Sequence, residues 1–216
     1  MNTAQAVDYV ARYTLEAPEQ PAMKYTELNF CELEGMPAFD TESVHPSVVA
    51  AHAQTRAWVR SILEGSSPHW LTLYGVPGCG KTMLAKLARH TLKEKGETVQ
   101  LWNWPKVLTK CFNGEWDILD HLIKLPILIL DDVGAEYTGS QKSSDLNSAR
   151  LYEIAESRLG KWTLITSNLN IPTMANVIGP RFVSRLFRND GVICDLMQAS
   201  DYSYTQWAKR NNFKTH

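Results

Sequence analysis

From residue 47 onward the chain alternates short apolar runs with longer stretches whose apolar residues return every three or four positions. The runs at 71–74, 98–102, 127–130, 163–167 and 192–196 are too short for helices and predict strands. The stretches between them predict helices; Met83–Leu92, for example, puts Leu84, Leu87, Ala88 and Thr91 on one face. Strands separated by helices predict an α/β domain built on a five-stranded parallel sheet covered on both faces. Ser47–Leu63 predicts a helix leading to a turn at Glu64–Pro68. Ahead of it, residues 4–16 predict a short helix with Val7, Val10, Ala11 and Thr14 on one side, closed off by Pro18 and Pro21. The chain is then irregular to about residue 45, with Pro37 and Pro46 as breakers. An arm of 1–45 is too small for a core of its own. It either packs on the domain of 46–216 or docks a partner through its amphipathic helix. The polar stretch Thr138–Ser148 predicts a solvated loop.

Composition narrows the class. The 216 residues are 44% hydrophobic, enough for a sizeable core. A net charge of −1 excludes a polycation, so any nucleic-acid contact must come from a local patch or from several subunits together. The four cysteines (Cys31, Cys79, Cys111, Cys194) have neither C-x-x-C nor zinc spacing, as expected of a reducing compartment. No basic start with an apolar stretch marks a signal peptide, and no apolar run is long enough to span a membrane. A soluble, cytoplasmic protein is the expectation.

The chemistry lies where the first strand ends. Residues 75–82, Gly-Val-Pro-Gly-Cys-Gly-Lys-Thr, fill every fixed position of G-x-x-x-x-G-K-[ST], with a strand before and a helix after. In such a loop glycine backbone comes close to the phosphates of a nucleotide, and N–H groups at a helix N-terminus face the anion. Gly75, Val76, Pro77, Gly78, Cys79, Gly80, Lys81, Thr82 and Met83 are therefore the candidate ATP-binding residues. Lys81 would reach the β/γ-phosphates, and the Thr82 hydroxyl would ligate Mg2+. Cys79 is either a small side chain that fits the loop or a thiol made reactive by the helix N-terminus.

A second buried strand, Pro126-Ile-Leu-Ile-Leu-Asp-Asp132, ends in paired carboxylates. With a phosphate loop upstream, Asp131 is the candidate metal ligand and Asp132 the candidate for orienting the attacking water. Leu164-Ile-Thr-Ser-Asn168 ends at the same rim of a parallel sheet, so Asn168 either contacts the γ-phosphate or attacking water or begins a turn. Arg181, Arg185 and Arg188 fall at i, i+4 and i+7 of a predicted helix, with Phe182, Leu186 and Phe187 largely on another face. An arginine row of this kind is either a solvated surface or an arginine finger for a neighbouring subunit's γ-phosphate. Lys106 and Lys110, near Trp102 and Trp104, offer charge and stacking for single-stranded DNA, or else a helix face over core tryptophans.

These segments, in this order, resemble the AAA+ ATPases of the DnaC/IstB type, the bacterial and phage helicase loaders and their transposition relatives. The resemblance runs over roughly residues 45–200. It is carried by Gly75–Thr82, Leu128-Ile-Leu-Asp-Asp-Val-Gly-Ala-Glu136, Leu151-Tyr-Glu-Ile-Ala-Glu-Ser-Arg158, Leu164-Ile-Thr-Ser-Asn-Leu169 and Pro180-Arg-Phe-Val-Ser-Arg-Leu186. It implies a P-loop NTPase fold, Asn168 as the sensor-1 residue, and Arg185 as the arginine finger with Arg181 second. It also implies a nucleotide-dependent homo-oligomer that engages a replicative helicase and grips single-stranded DNA through several subunits. The chain departs from the pattern in three places. Ser200-Asp-Tyr-Ser-Tyr204 lacks the arginine that family members often place after the last strand, the arm is short, and little chain is left for a helical lid. Slow hydrolysis that depends on assembly or DNA is the expectation. The alternatives are a nucleotide-dependent adaptor docking a partner through residues 1–40, a transposition ATPase, and a small-molecule kinase. Against the kinase, Thr138–Ser148 holds only Lys142 as a cation for a lid.

Overall fold

A computed structural model describes residues 44–136, 145–188 and 190–202, the side chains of 145 and 146 excepted. In chain order the elements are α1 Pro46–Glu64, β1 Trp70–Gly75, α2 Lys81–Glu94, β2 Val99–Asn103, α3 Trp104–Phe112, α4 Asp117–Lys124 and β3 Ile127–Asp131. They continue with α5 Asp145–Ser157, β4 Trp162–Ser167, α6 Ile171–Val177, α7 Pro180–Leu186 and β5 Val192–Leu196. The five strands form one sheet in the order β2-β3-β4-β1-β5, parallel throughout. The five strands expected from the sequence are present, each to within a residue or so. The helix expected at 4–16 lies outside the described residues.

The sheet is buried on both faces, which is why β3 reads as an unbroken apolar run. Successive side chains point to opposite faces. Ile127 and Ile129 join Leu71, Leu73 and Leu164 under α1 and α2, where Trp58, Val59, Leu84, Ala88 and Leu92 close the layer. Leu128 and Leu130 join Trp70 and Ile165 under the opposite layer, with Trp104, Leu122, Leu151, Phe182 and Leu186. Each such aliphatic side chain contributes about 1.5–3 kcal/mol on burial, so the site rests on a rigid frame.

Helix starts follow local chemistry. His45 caps α1 by accepting from the Ser47 N–H, ahead of Pro46, and Asn103 and Asn170 cap α3 and α6 in the same way. Arg158, just past α5, is fully buried and forms no ion pair with a carboxylate among the described residues. Its guanidinium donates to the carbonyls of Leu122 (2.8 Å), Leu125 (2.7 Å) and Trp162 (2.8 Å) and to Thr163 Oγ1 (3.0 Å). Burial pushes its pKa down to about 10. It ties the entry of β3 to the start of β4.

Three expectations change. Residues 145–148 of the expected polar loop belong to α5, and 137–144 lie outside the described residues. Helix α7 stops at Leu186, so Arg188 does not share its face with Arg181 and Arg185. Trp104 is wholly buried, because α3 turns its apolar face onto the sheet, and Trp102, on the edge strand β2, is half-buried. The exposed large aromatics among the described residues are Phe112 and Trp116, at the α3–α4 turn.

Candidate functional site

The strand order brings the ends of β1, β3 and β4 to one rim. β1 pairs with β4 from Trp70↔Thr163 to Tyr74↔Ser167, and β3 pairs with β4 as far as Leu130↔Ile165. One residue further on, Asp131 meets Thr166, whose Oγ1 donates to Asp131 Oδ1 at 2.6 Å.

The loop after β1 needs its glycines at specific points. A Cβ on Gly75 would lie 2.6 Å from the backbone of Leu196 on the adjacent β5. Gly78 has φ +76, and a Cβ there would lie 2.3 Å from Asp201 Oδ1. Tyr202 N–H donates to Gly78 O at 3.0 Å, so the segment after β5 seats on this loop. Helix α2 then starts from Gly80 with no side-chain cap, which leaves its first N–H groups for an anion.

Lys81 is 5% exposed. Its ammonium donates to the carbonyls of Gly75 (2.8 Å) and Val76 (2.7 Å) and lies 3.6 Å from Cys79 Sγ. Burial lowers its pKa, against the opposing pull of Cys79, Asp132 and Asp131. Cys79 itself is buried with the apolar residues under α1 and α2. Thr82 Oγ1 donates to Asp131 Oδ1 at 3.0 Å and to Oδ2 at 3.2 Å. One hydroxyl and one nearly buried carboxylate fit Mg2+, a hard cation that keeps several waters and takes phosphate oxygens rather than an all-protein cage. No group of three or more His, Cys, Asp or Glu able to hold a metal occurs among the described residues.

Asp132 follows β3 with φ 60, a left-handed conformation that Asp tolerates better than most residues. Its N–H donates to Thr166 Oγ1 (3.0 Å), and its Oδ2 accepts from Asn103 Nδ2 (3.1 Å). Burial, then the charge of Asp131, pushes its carboxyl above the usual carboxylate range. The turn thus aims two adjacent acids in different directions. Thr166 and Asn103 were missed by sequence reasoning. Both sit at strand ends facing Asp131–Asp132, and register alone reveals them.

Asn168 is half-buried, one residue past β4 on the same rim. The two helix arginines differ. Arg181 is exposed, whereas Arg185 is held on its own chain by α5: Nε donates to Glu156 Oε2, Nη2 donates to the Tyr152 hydroxyl (2.9 Å), and the guanidinium lies 5.2 Å from the Tyr152 ring centroid.

The fold is shared with solved structures. The DnaC helicase loader superposes with TM-score 0.57 at 23% identity over 70% of this chain and 91% of that one. DnaA from Aquifex aeolicus superposes with TM-score 0.57 at 18% identity over 80% of this chain and 55% of that one. The chain has the AAA+ P-loop NTPase fold of the DnaC type. Among curated proteins, the peroxisomal ATPase PEX1 of Komagataella phaffii is 26% identical over 110 residues, 48% of this chain. The chain spans only 10% of that protein's length. Residues 47–106 match the nephrocystin 3 N-terminal family, a stretch that includes the phosphate loop of this AAA+ domain. No helix among the described residues is long and apolar enough to cross a membrane.

Proposed function

We propose that this chain is an ATP-binding and ATP-hydrolysing replication protein of the helicase-loader kind, working in the cytoplasm as a nucleotide-dependent homo-oligomer. The observation that carries the reading is the Thr82–Asp131 contact, which closes a complete phosphate loop onto a strand ending in a second, separately aimed acid. The backbone N–H groups of Gly78–Met83 receive the phosphates. Lys81, now folded back on loop carbonyls, exchanges those oxygens for the β/γ-phosphates. Thr82 and Asp131 would hold Mg2+, which would supply charge neutralisation on the phosphates. Asp132, oriented by Asn103 and Thr166, takes a proton from the attacking water, and Asn168 holds that water or the γ-phosphate. Arg185 of a neighbouring subunit, with Arg181 second, completes the site across the boundary.

The partners are a replicative helicase, engaged through residues 1–45, and single-stranded DNA, gripped by several subunits whose weak contacts multiply. The DNA contact belongs to the α3–α4 turn rather than to Trp102 and Trp104. Phe112 and Trp116 are exposed there as stacking surface, with the Arg150 guanidinium 5.5 Å from the Trp116 ring centroid. Lys110 and Arg150 are ion-paired to Glu115 (2.7 Å) and Glu153 (2.6 Å) and would exchange those carboxylates for DNA phosphate.

One observation favours a second reading, a nucleotide-dependent adaptor with little hydrolysis. The segment lying on the phosphate loop holds the Asp201 carboxylate against Gly78, and Ser200–Tyr204 contains no arginine to meet a nucleotide. Steady-state ATP hydrolysis with and without single-stranded DNA, over a range of protein concentrations, separates the two. Turnover that rises with DNA and faster than linearly with protein supports the loader. Tight ATP binding with flat, negligible turnover supports the adaptor.

A further inference from the structure

Arginines three or four residues apart on a surface helix share an environment unless something distinguishes them, and here α5 does. Tyr152 and Glu156 are one helical turn apart on α5 and both face Arg185 at the end of α7. Phe182, Val183 and Leu186 are buried, which fixes the helix that carries Arg185. The arginine side chain is 12% exposed, against 44% for Glu156. A surface ion pair of this kind contributes little to stability, so its consequence is geometric. A guanidinium has five N–H donors in a fixed fork. Glu156 takes Nε and Tyr152 takes one donor of Nη2, with the phenol ring centroid 5.2 Å from the guanidinium carbon. Three N–H donors remain, two on Nη1 and one on Nη2, enough to meet two oxygens of one phosphate. Arg181, one turn earlier, is exposed and has no such support among the described residues.

We infer that Tyr152 and Glu156 are positioning residues that hold Arg185 with its remaining N–H donors free for a neighbouring subunit's terminal phosphate, an inference that rests on the finger role given to Arg185 above. They select Arg185 over Arg181, and they make α5 the part of the chain through which the arginine is aimed.

The test is ATP turnover per subunit at rising concentrations of the full chain, with ATP affinity measured in parallel. The variants are Glu156→Ala, Glu156→Gln, Tyr152→Phe and Arg185→Ala, with Glu156→Ala repeated in the Arg185→Ala background. Both Glu156→Ala and Tyr152→Phe should lower concentration-dependent turnover on the order of tenfold or more at unchanged ATP affinity, as misplacement of a charge-stabilising group does. Glu156→Gln, which keeps an acceptor oxygen, should recover part of that loss. Once Arg185 is gone, Glu156→Ala should cost nothing further. Unchanged or increased turnover in Glu156→Ala and Tyr152→Phe, or an equal loss in the Arg185→Ala background, overturns the positioning role while the finger role stands. Full turnover in Arg185→Ala removes the finger role itself and this inference with it.

Discussion

Lys81 and Arg185 are both cations assigned to the same triphosphate, yet the molecule holds them by opposite means. Lys81 is nearly buried, its ammonium clasped by main-chain carbonyls of its own loop. Its position follows from backbone geometry, with the carbonyls of Gly75 and Val76 as the acceptors it gives up for phosphate. Arg185 lies at a helix end and is held by two side chains of another helix, one of them well exposed. A group fixed by backbone can bind ligand within a single subunit. A group fixed by side chains at the surface is suited to reaching across a boundary and to being released.

That contrast can be broken or sharpened in order of expected effect. Lys81→Ala removes the buried charge and should weaken ATP binding by at least about a hundredfold, roughly 3 kcal/mol, in a direct titration. Retained binding would mean that the loop's N–H groups suffice. Arg158 offers a third kind of cation, buried and held by carbonyls but remote from any ligand. Arg158→Met should lower unfolding free energy by about 3 kcal/mol, because the carbonyls of Leu122, Leu125 and Trp162 lose their donor. Arg185→Ala should change it by less than about 0.5 kcal/mol in the same denaturant titration. At the α3–α4 turn, Trp116→Ala should cost about 1–3 kcal/mol in single-strand affinity, read by anisotropy of a labelled oligonucleotide, with ATP affinity unchanged.

The smallest effect concerns Glu136, whose Oε1 accepts from buried Trp104 (2.8 Å) while Oε2 is buried without a partner. Burial raises its pKa above the usual 4.5. The native state therefore holds this proton more tightly than the unfolded chain, and the group's contribution to stability falls as pH rises from about 4.5 through the raised value. Glu136→Gln keeps the acceptor and removes the charge. Its melting temperature should exceed that of the parent chain at pH 7.5, by an amount that shrinks towards pH 5. A difference independent of pH would show that the carboxyl is not paying a burial penalty.

Most of the frame was legible because it depends on contiguous sequence. Continuous apolar runs gave the strands, and G-x-x-x-x-G-K-T gave the loop with its flanking strand and helix. What escaped depends on register and facing. Thr166 reads as an ordinary strand residue until β3 and β4 are aligned, and Asn103 as an ordinary helix cap until β2 lies beside β3. Spacing suggested that Trp104 could stack on DNA, but its position at the start of α3 turns it into the core and leaves Trp116 outside. The arginine row was over-extended because nothing local to Arg188 announces that the helix has ended at Leu186. Tyr152 and Glu156 lay in a recognised segment, but their direction towards Arg185 comes only from the packing of α5 on α7.

The central claim, an ATP site shared between subunits, is tested most directly by mixing two variants. Lys81→Ala keeps Arg185 but lacks the phosphate-binding cation, and Arg185→Ala keeps Lys81 but lacks the finger. Each should be nearly inactive alone. Mixed in equal amounts, they form boundaries that pair an intact Lys81 with an intact Arg185, and the account predicts that ATP turnover returns to a measurable fraction of the parent rate. A mixture no more active than its two components would contradict it and leave Arg185 a surface residue of its own subunit.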